Sequence, residues 1–196
     1  MYDPNKKLGQ NFLVDHTVIR KMIDSLKPDD REKIVEIGAG LGVLTEDLAS
    51  RLLGLDYRVY AVEIDERFIP KLEKMFAYNP NVFIVQADIL EWLPKFRCEE
   101  SFKILGSLPF YITSPILHSI IKMNKQAELC VFLFQKEVAK KIANQAPDSS
   151  YLSVLVQTFY DVKYVSDVSK NSFNPQPKVE GAIIKLVKNP IYHSLG

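Results

Sequence analysis

The sequence has little of several things, and each scarcity excludes something. It holds two cysteines in 196 residues, Cys98 and Cys130, far apart and without metal-ligand spacing. Neither a disulfide scaffold nor a cysteine-held metal is therefore expected, and the usage fits a reducing, cytoplasmic compartment. Cys130 lies in an apolar run and reads as a packed thiol. Neither sign of charge is in excess: 25 basic residues face 24 acidic ones. Any basic face toward a polyanion must then be local. The strongest apolar run, residues 129–134, falls far short of the roughly 20 residues that cross a membrane. The opening Met-Tyr-Asp-Pro-Asn-Lys-Lys lacks the apolar core of a secretory signal. Repeats and low-complexity stretches are missing too. What is there is an ordinary globular mixture, 47% apolar and 25% charged, in a length that suits one domain with a real core.

The chain is organised around residues 34–45, Ile-Val-Glu-Ile-Gly-Ala-Gly-Leu-Gly-Val-Leu-Thr. A short β-branched run reads as a buried parallel strand. Gly38, Gly40 and Gly42 then alternate, and Leu44, Leu48 and Leu52 recur at helical spacing. Strand, glycine turn and helix together bring bare backbone amides close to a ligand at a helix N-terminus. The spacing is Gly-x-Gly-x-Gly after an acid, Glu36, rather than the dinucleotide Gly-x-Gly-x-x-Gly. A carboxylate there suits a cationic or hydroxylated ligand and would repel a pyrophosphate. A plain βα turn without ligand is the competing reading.

Strands are expected over 57–62, 82–86, 102–106 and a central 127–135, with helices over 15–26, 66–76, 136–144 and 151–160. Residues 161–168 and 181–187 alternate like an antiparallel pair at the sheet edge. Two carboxylates fall at strand ends, where ligands of open α/β sheets bind. Glu63 stands about twenty residues after the glycine turn, the position that accepts ribose hydroxyls, with Ile64 beside it. Asp88 suits an adenine amino group, and Ile89 the ring. Each also suits a helix cap, and Asp65 suits that role better than Glu63. Ser107-Leu108-Pro109-Phe110 follows the fourth strand. A hydroxyl and a backbone carbonyl there would accept the two hydrogens of an exocyclic base nitrogen, with proline stiffening the turn and the ring stacking on the base. A simple turn with a core aromatic is the alternative. Lys136 and Lys140 would meet phosphates or face solvent. Phe173, on the proline-stiffened loop before Lys178, reads as an exposed stacking platform beside a phosphate contact, or as a ring tucked inward on a rigid connector.

In this order the motifs resemble those of the ribosomal RNA adenine N6-dimethyltransferases. The resemblance runs from Lys7-Leu8-Gly9-Gln10-Asn11-Phe12-Leu13 to Phe173-Asn174-Pro175-Gln176-Pro177-Lys178-Val179. It implies an α/β fold of the class I, Rossmann-like S-adenosylmethionine-dependent kind, with a mostly parallel sheet and an antiparallel edge hairpin. Gln10, Asn11 and Leu13 would close over S-adenosylmethionine. Gly38, Ala39 and Gly40 would approach its methionine part, Glu63 and Ile64 its ribose, and Asp88 and Ile89 its adenine. Ser107, Leu108, Pro109 and Phe110 would form the catalytic loop, with Ser107 also near the cofactor, and Phe110 and Phe173 would stack on the target adenine. No metal is implied. The partner would be ribosomal RNA of the small subunit, met by Lys136, Lys140 and Lys178, and the enzyme would be a cytoplasmic monomer. The family usually has Asn-Leu-Pro-Tyr where this chain has Ser107-Leu108-Pro109-Phe110. Serine reaches less far, and phenylalanine keeps the ring without the hydroxyl. Family members usually carry a small helical C-terminal domain, so the expectation for 1–196 is one catalytic domain with a cofactor-covering arm and without that addition. A non-catalytic ribosome-assembly factor of the same fold stays open because of Ser107. A methyltransferase for DNA adenine or a small amine is the third possibility, and a stacking loop at Phe173 argues against the small amine.

Overall fold

The structure is a computed structural model that describes residues 9–123, 127–145 and 147–190, with the side chain of Phe110 outside the described set. The residues at Lys7 and Leu8, part of the expected arm, also lie outside it. Chain order is β1 Phe12–Leu13, α1 His16–Leu26, β2 Glu32–Ile37, α2 Val43–Arg51, β3 Tyr57–Glu63, α3 Ile69–Met75 and β4 Val82–Gln86. Then come α4 Ile89–Trp92, β5 Lys103–Ser107, α5 Thr113–Lys122, β6 Leu129–Gln135, α6 Lys136–Ala143, α7 Tyr151–Phe159, β7 Tyr160–Val168, β8 Phe173–Asn174 and β9 Gly181–Lys188.

Seven strands form one sheet in the order β4-β3-β2-β5-β6-β9-β7. The first five are mutually parallel, and β9 and β7 join antiparallel, as the expected edge pair. The apolar run of β6 is buried from Cys130 to Phe134 because β5 and β9 flank it and helices cover both faces. Alternate residues go to opposite faces. Leu105, Val131 and Ile183 meet α1 and α2, whereas Ile104, Phe132 and Ile184 meet α5, α6 and α7.

Local chemistry sets the boundaries. Asp15 caps α1 by accepting from the Thr17 amide at 2.9 Å, and Ile19, Met22, Ile23 and Leu26 form its buried stripe. The helix expected from residue 66 begins instead at Ile69. Pro70 has no N–H to give the Glu66 carbonyl, and residues 65–68 form a tighter turn, with the Phe68 amide on the Asp65 carbonyl at 3.1 Å. A two-stranded ladder, unforeseen in the sequence, pairs Phe12 with Asn174 and Leu13 with Phe173. The parallel strands' C-terminal ends all open on one edge, and that edge carries the site.

Candidate active site

A cleft of about 370 Å³ lies along this edge. It is within the usual range for small-molecule sites. Its walls bring together Gln10, Asn11 and Leu13 of the arm, Gly38, Ala39 and Gly40 of the glycine turn, Glu63 and Ile64 at the end of β3, Asp88 and Ile89 after β4, and Ser107, Leu108 and Pro109 at the end of β5. Phe173 closes the far side. Positions spread over the whole chain thus converge because each lies at the end of a parallel strand, on the arm packed over those ends or, for Phe173, on β8 paired with that arm.

The glycine turn is built by left-handed backbone. Gly38 has φ +74° and a Cβ built there would meet nothing within 4 Å, so its missing side chain leaves room for a ligand. Gly40, at φ +52°, lies beneath the Phe12 ring, 3.6 Å from where a Cβ would stand. Gly38 and Ala39 amides bind the Val62 carbonyl at 2.8 and 3.2 Å, which ties the turn to β3.

Glu63 is buried and accepts from two amides, Gly40 on one oxygen and Asp65 on the other, both at 2.8 Å. Burial pushes its carboxyl upward, against the pull of those amides. Each oxygen of a carboxylate has a further lone pair, which is what a ribose diol needs. Asp88 caps α4 with one oxygen at the Leu90 amide, 2.8 Å away, and the residue also lines the cleft. Beside Glu63, Asp65 accepts from Gln10 Nε2 at 2.7 Å and pairs with Arg67 at 2.6 Å. Arg67, followed by Gln10, holds that carboxyl down at about 2, against its desolvation. Gln10 is thereby clamped onto the site, and Asn11 folds back on the Gly9 carbonyl at 3.0 Å.

Glu36 is 1% exposed and lines the cleft from within. One oxygen accepts from Thr45 Oγ1 at 2.5 Å, and the other has no partner. Desolvation pushes its pKa to about 8, with Glu63 adding to the rise and Thr45 opposing it. An orphaned buried oxygen beside a glycine cradle, with carboxylates placed for hydroxyl and amino groups, fits S-adenosylmethionine, whose methionine end is cationic and whose nucleoside end is rich in donors.

Two sequence expectations change. Phe173 is not an exposed platform; it is 8% exposed. Pairing of β8 with β1 turns its ring against Leu13, so it forms the cleft wall. Lys136 is not a free cation for phosphate: its Nζ lies 2.7 Å from Asp167 and 2.8 Å from Glu180. Lys140 and Lys178 are exposed. Asp65, expected as the cap of a helix starting at 66, accepts from the Arg67 amide at 3.2 Å and so caps the turn that stands there, while its other oxygen anchors the arm through Gln10. Tyr111, half exposed, is a cleft residue that the sequence motif ended just short of. Burial first, then the charges of Asp88 and Glu63, raise its phenol. An aromatic directly after the Ser-Leu-Pro-Phe motif is the available signal.

Comparisons with known proteins agree with this geometry. The chain is 38% identical over 187 residues to ribosomal RNA small subunit methyltransferase A of Sulfurihydrogenibium sp. (strain YO3AOP1), covering 93% of this chain and 71% of that protein. It is 39% identical over 185 residues to the protein of the same name from Mycoplasmopsis pulmonis (strain UAB CTIP), covering 93% and 70%. Among solved structures it superposes on the 23S rRNA methyltransferase ErmE with TM-score 0.81 at 28% identity, over 92% of this chain and 70% of that one. A dimethyladenosine transferase from Plasmodium falciparum gives TM-score 0.78 at 28% identity, over 91% and 63%. Residues 1–192 match the model of the ribosomal RNA adenine dimethylases, and the chain belongs to that family of S-adenosylmethionine-dependent methyltransferases.

Proposed function

We propose that this protein dimethylates N6 of adenosines in small-subunit ribosomal RNA, working as a cytoplasmic monomer. One observation carries the reading: a single cleft runs from the carboxylates Glu63 and Asp88 past Ser107 to the Phe173 ring. A nucleoside cofactor and a flipped base would meet there, end to end. Small-subunit RNA is favoured over large-subunit RNA by the 38–39% identity to the small-subunit relatives, against 28% to the 23S enzyme.

When bound, S-adenosylmethionine supplies a methyl group on a cationic sulfur that leaves readily. The protein's work is then positioning and polar stabilisation. Glu63 would hold the ribose and Asp88 the adenine amino group. Ile89 would pack on the ring. Ser107 Oγ and the Leu108 carbonyl would accept hydrogens from the target amine, directing its lone pair toward the methyl group. Phe110 and Phe173 would hold the extruded base. Gln10, Asn11 and Leu13 would keep water out. Lys140 and Lys178 would meet phosphates, and Lys136 would act only if its acidic partners yield it.

The test is transfer of labelled methyl from S-adenosylmethionine to unmethylated small ribosomal subunits, followed by nucleoside digestion. Dimethyladenosine is expected. Cofactor binding without any transfer would favour a non-catalytic assembly factor, and label in large-subunit RNA alone would reassign the substrate.

A further inference from the structure

Asp15 uses its two carboxylate oxygens differently. Oδ1 caps α1 at the Thr17 amide, 2.9 Å away. Oδ2 accepts from Ser172 Oγ at 2.9 Å, although the two residues are 157 positions apart. Ser172 is buried, and it immediately precedes Phe173. The Val14 amide adds a bond to the Ser172 carbonyl at 2.9 Å. From there the β1–β8 ladder sets Leu13 directly opposite Phe173, on the same face. The arm's other end is clamped by Gln10 to Asp65, and Phe12 packs edge-on to Phe68 at 5.5 Å over Gly40. One strap therefore runs from the glycine turn to the ring at the far end of the cleft.

We propose that Asp15 and Ser172 are positioning residues that fix the angle of the Phe173 ring, and that they do so by tying β8 to the cofactor-covering arm. Neither needs to touch cofactor or base. A two-residue ladder is too short to hold a ring by itself, and the Ser172 hydroxyl supplies the missing anchor at the residue where direction is set. The inference rests on the reading of Phe173 as the base-stacking ring.

Ser172→Ala is the clean probe, because it leaves the Asp15 cap of α1 intact. Methyl transfer to unmethylated small subunits is measured for wild type, Ser172→Ala, Phe173→Leu and the double variant, with S-adenosylhomocysteine affinity measured alongside. Phe173→Leu is expected to lower kcat roughly ten- to hundredfold, the scale of a lost base stack. Ser172→Ala should lower kcat about three- to tenfold, the scale of one hydrogen bond, with KM for the subunits and affinity for S-adenosylhomocysteine nearly unchanged. In the Phe173→Leu background the serine change should cost less than about twofold, because its effect travels through the ring. Full additivity would overturn the proposal, as would a normal kcat for Ser172→Ala. A normal rate for Phe173→Leu would instead overturn the base-stacking role. A purely structural role for Ser172 would show as weakened S-adenosylhomocysteine binding and a lowered Tm, and would also overturn the proposal.

Discussion

At the scale of the residue, Glu36 makes the sharpest statement. A carboxyl with an orphaned oxygen, buried next to a second carboxyl, resists ionisation, and its pKa near 8 is far above the ordinary 4.5. Between those values the folded protein binds a proton that the unfolded chain has released, so stability falls as pH rises. The slope is at most about 1.4 kcal/mol per pH unit for one group. The ligand-free protein is therefore expected to lose Tm from pH 5 to pH 8, and Glu36→Gln to flatten that loss in thermal melts. Glu63 is shifted in the same direction and leaves some slope behind. Asp65 is shifted the opposite way, so its contribution is lost only as pH falls through about 2. A variant as pH-sensitive as wild type would show that Glu36 ionises freely. The sequence showed an acid at the turn, but burial is a property of the packed sheet and could not be read there. Ser107 is a different case, because its departure from the family pattern was visible at once. An asparagine amide reaches one bond farther toward the target amine. Ser107→Asn should raise kcat, by on the order of tenfold for one well-placed hydrogen bond. An unchanged rate would mean that the serine already suffices.

At the scale of the element, the proposed catalytic loop depends on how closely β5 lies against β2. Gly106 pairs with Ile37, and a Cβ at Gly106 would stand 2.8 Å from Leu108 Cδ2 and 3.0 Å from the Ile37 carbonyl oxygen. Backbone cannot move aside cheaply inside a sheet, so Leu108 would give way. Gly106→Ala is expected to cost about 1–3 kcal/mol in denaturant melts. It should also lower kcat more than it changes cofactor affinity, because Leu108 belongs to the loop proposed to aim at the base. Normal kcat with lowered Tm would separate loop geometry from strand packing. Long periodic elements were plain from the sequence: β6 from its unbroken apolar run, α1 from its stripe and cap. The β1–β8 ladder was not, since two residues carry no periodicity and their pairing is decided by contacts far apart in the chain. For the same reason the sequence leaves Phe173 open between an exposed platform and a ring tucked inward, and only the ladder decides for the inward one. The ion pairs of Lys136 are not legible either, because its acidic partners lie on β7 and on the approach to β9, out of reach of any local pattern.

At the scale of the whole molecule, the two edges of the sheet do different work. The C-terminal edge carries the glycine turn, the carboxylates and the proposed catalytic loop. The opposite edge is closed by Lys103, whose side chain is 8% exposed and whose Nζ lies 2.9 Å from Glu32 and 2.8 Å from the Lys27 carbonyl. That contact ties β5 to β2 and to the end of α1, with no residue of the cleft involved. Removing one member of a partly buried pair leaves the other without compensation, at about 1–3 kcal/mol here. Lys103→Met should therefore lower Tm by several degrees. S-adenosylhomocysteine at a hundred times its Kd adds about 2.7 kcal/mol to folding, a rise of about 5–10 °C for a chain of this size. Because the two sites sit at opposite strand ends and share no partner, their effects should add. Thermal melts of wild type and Lys103→Met, each with and without S-adenosylhomocysteine, are expected to give the same ligand-induced rise. A smaller rise in the variant would mean that the sheet transmits strain from one edge to the other, and that cofactor affinity depends on packing beyond the cleft.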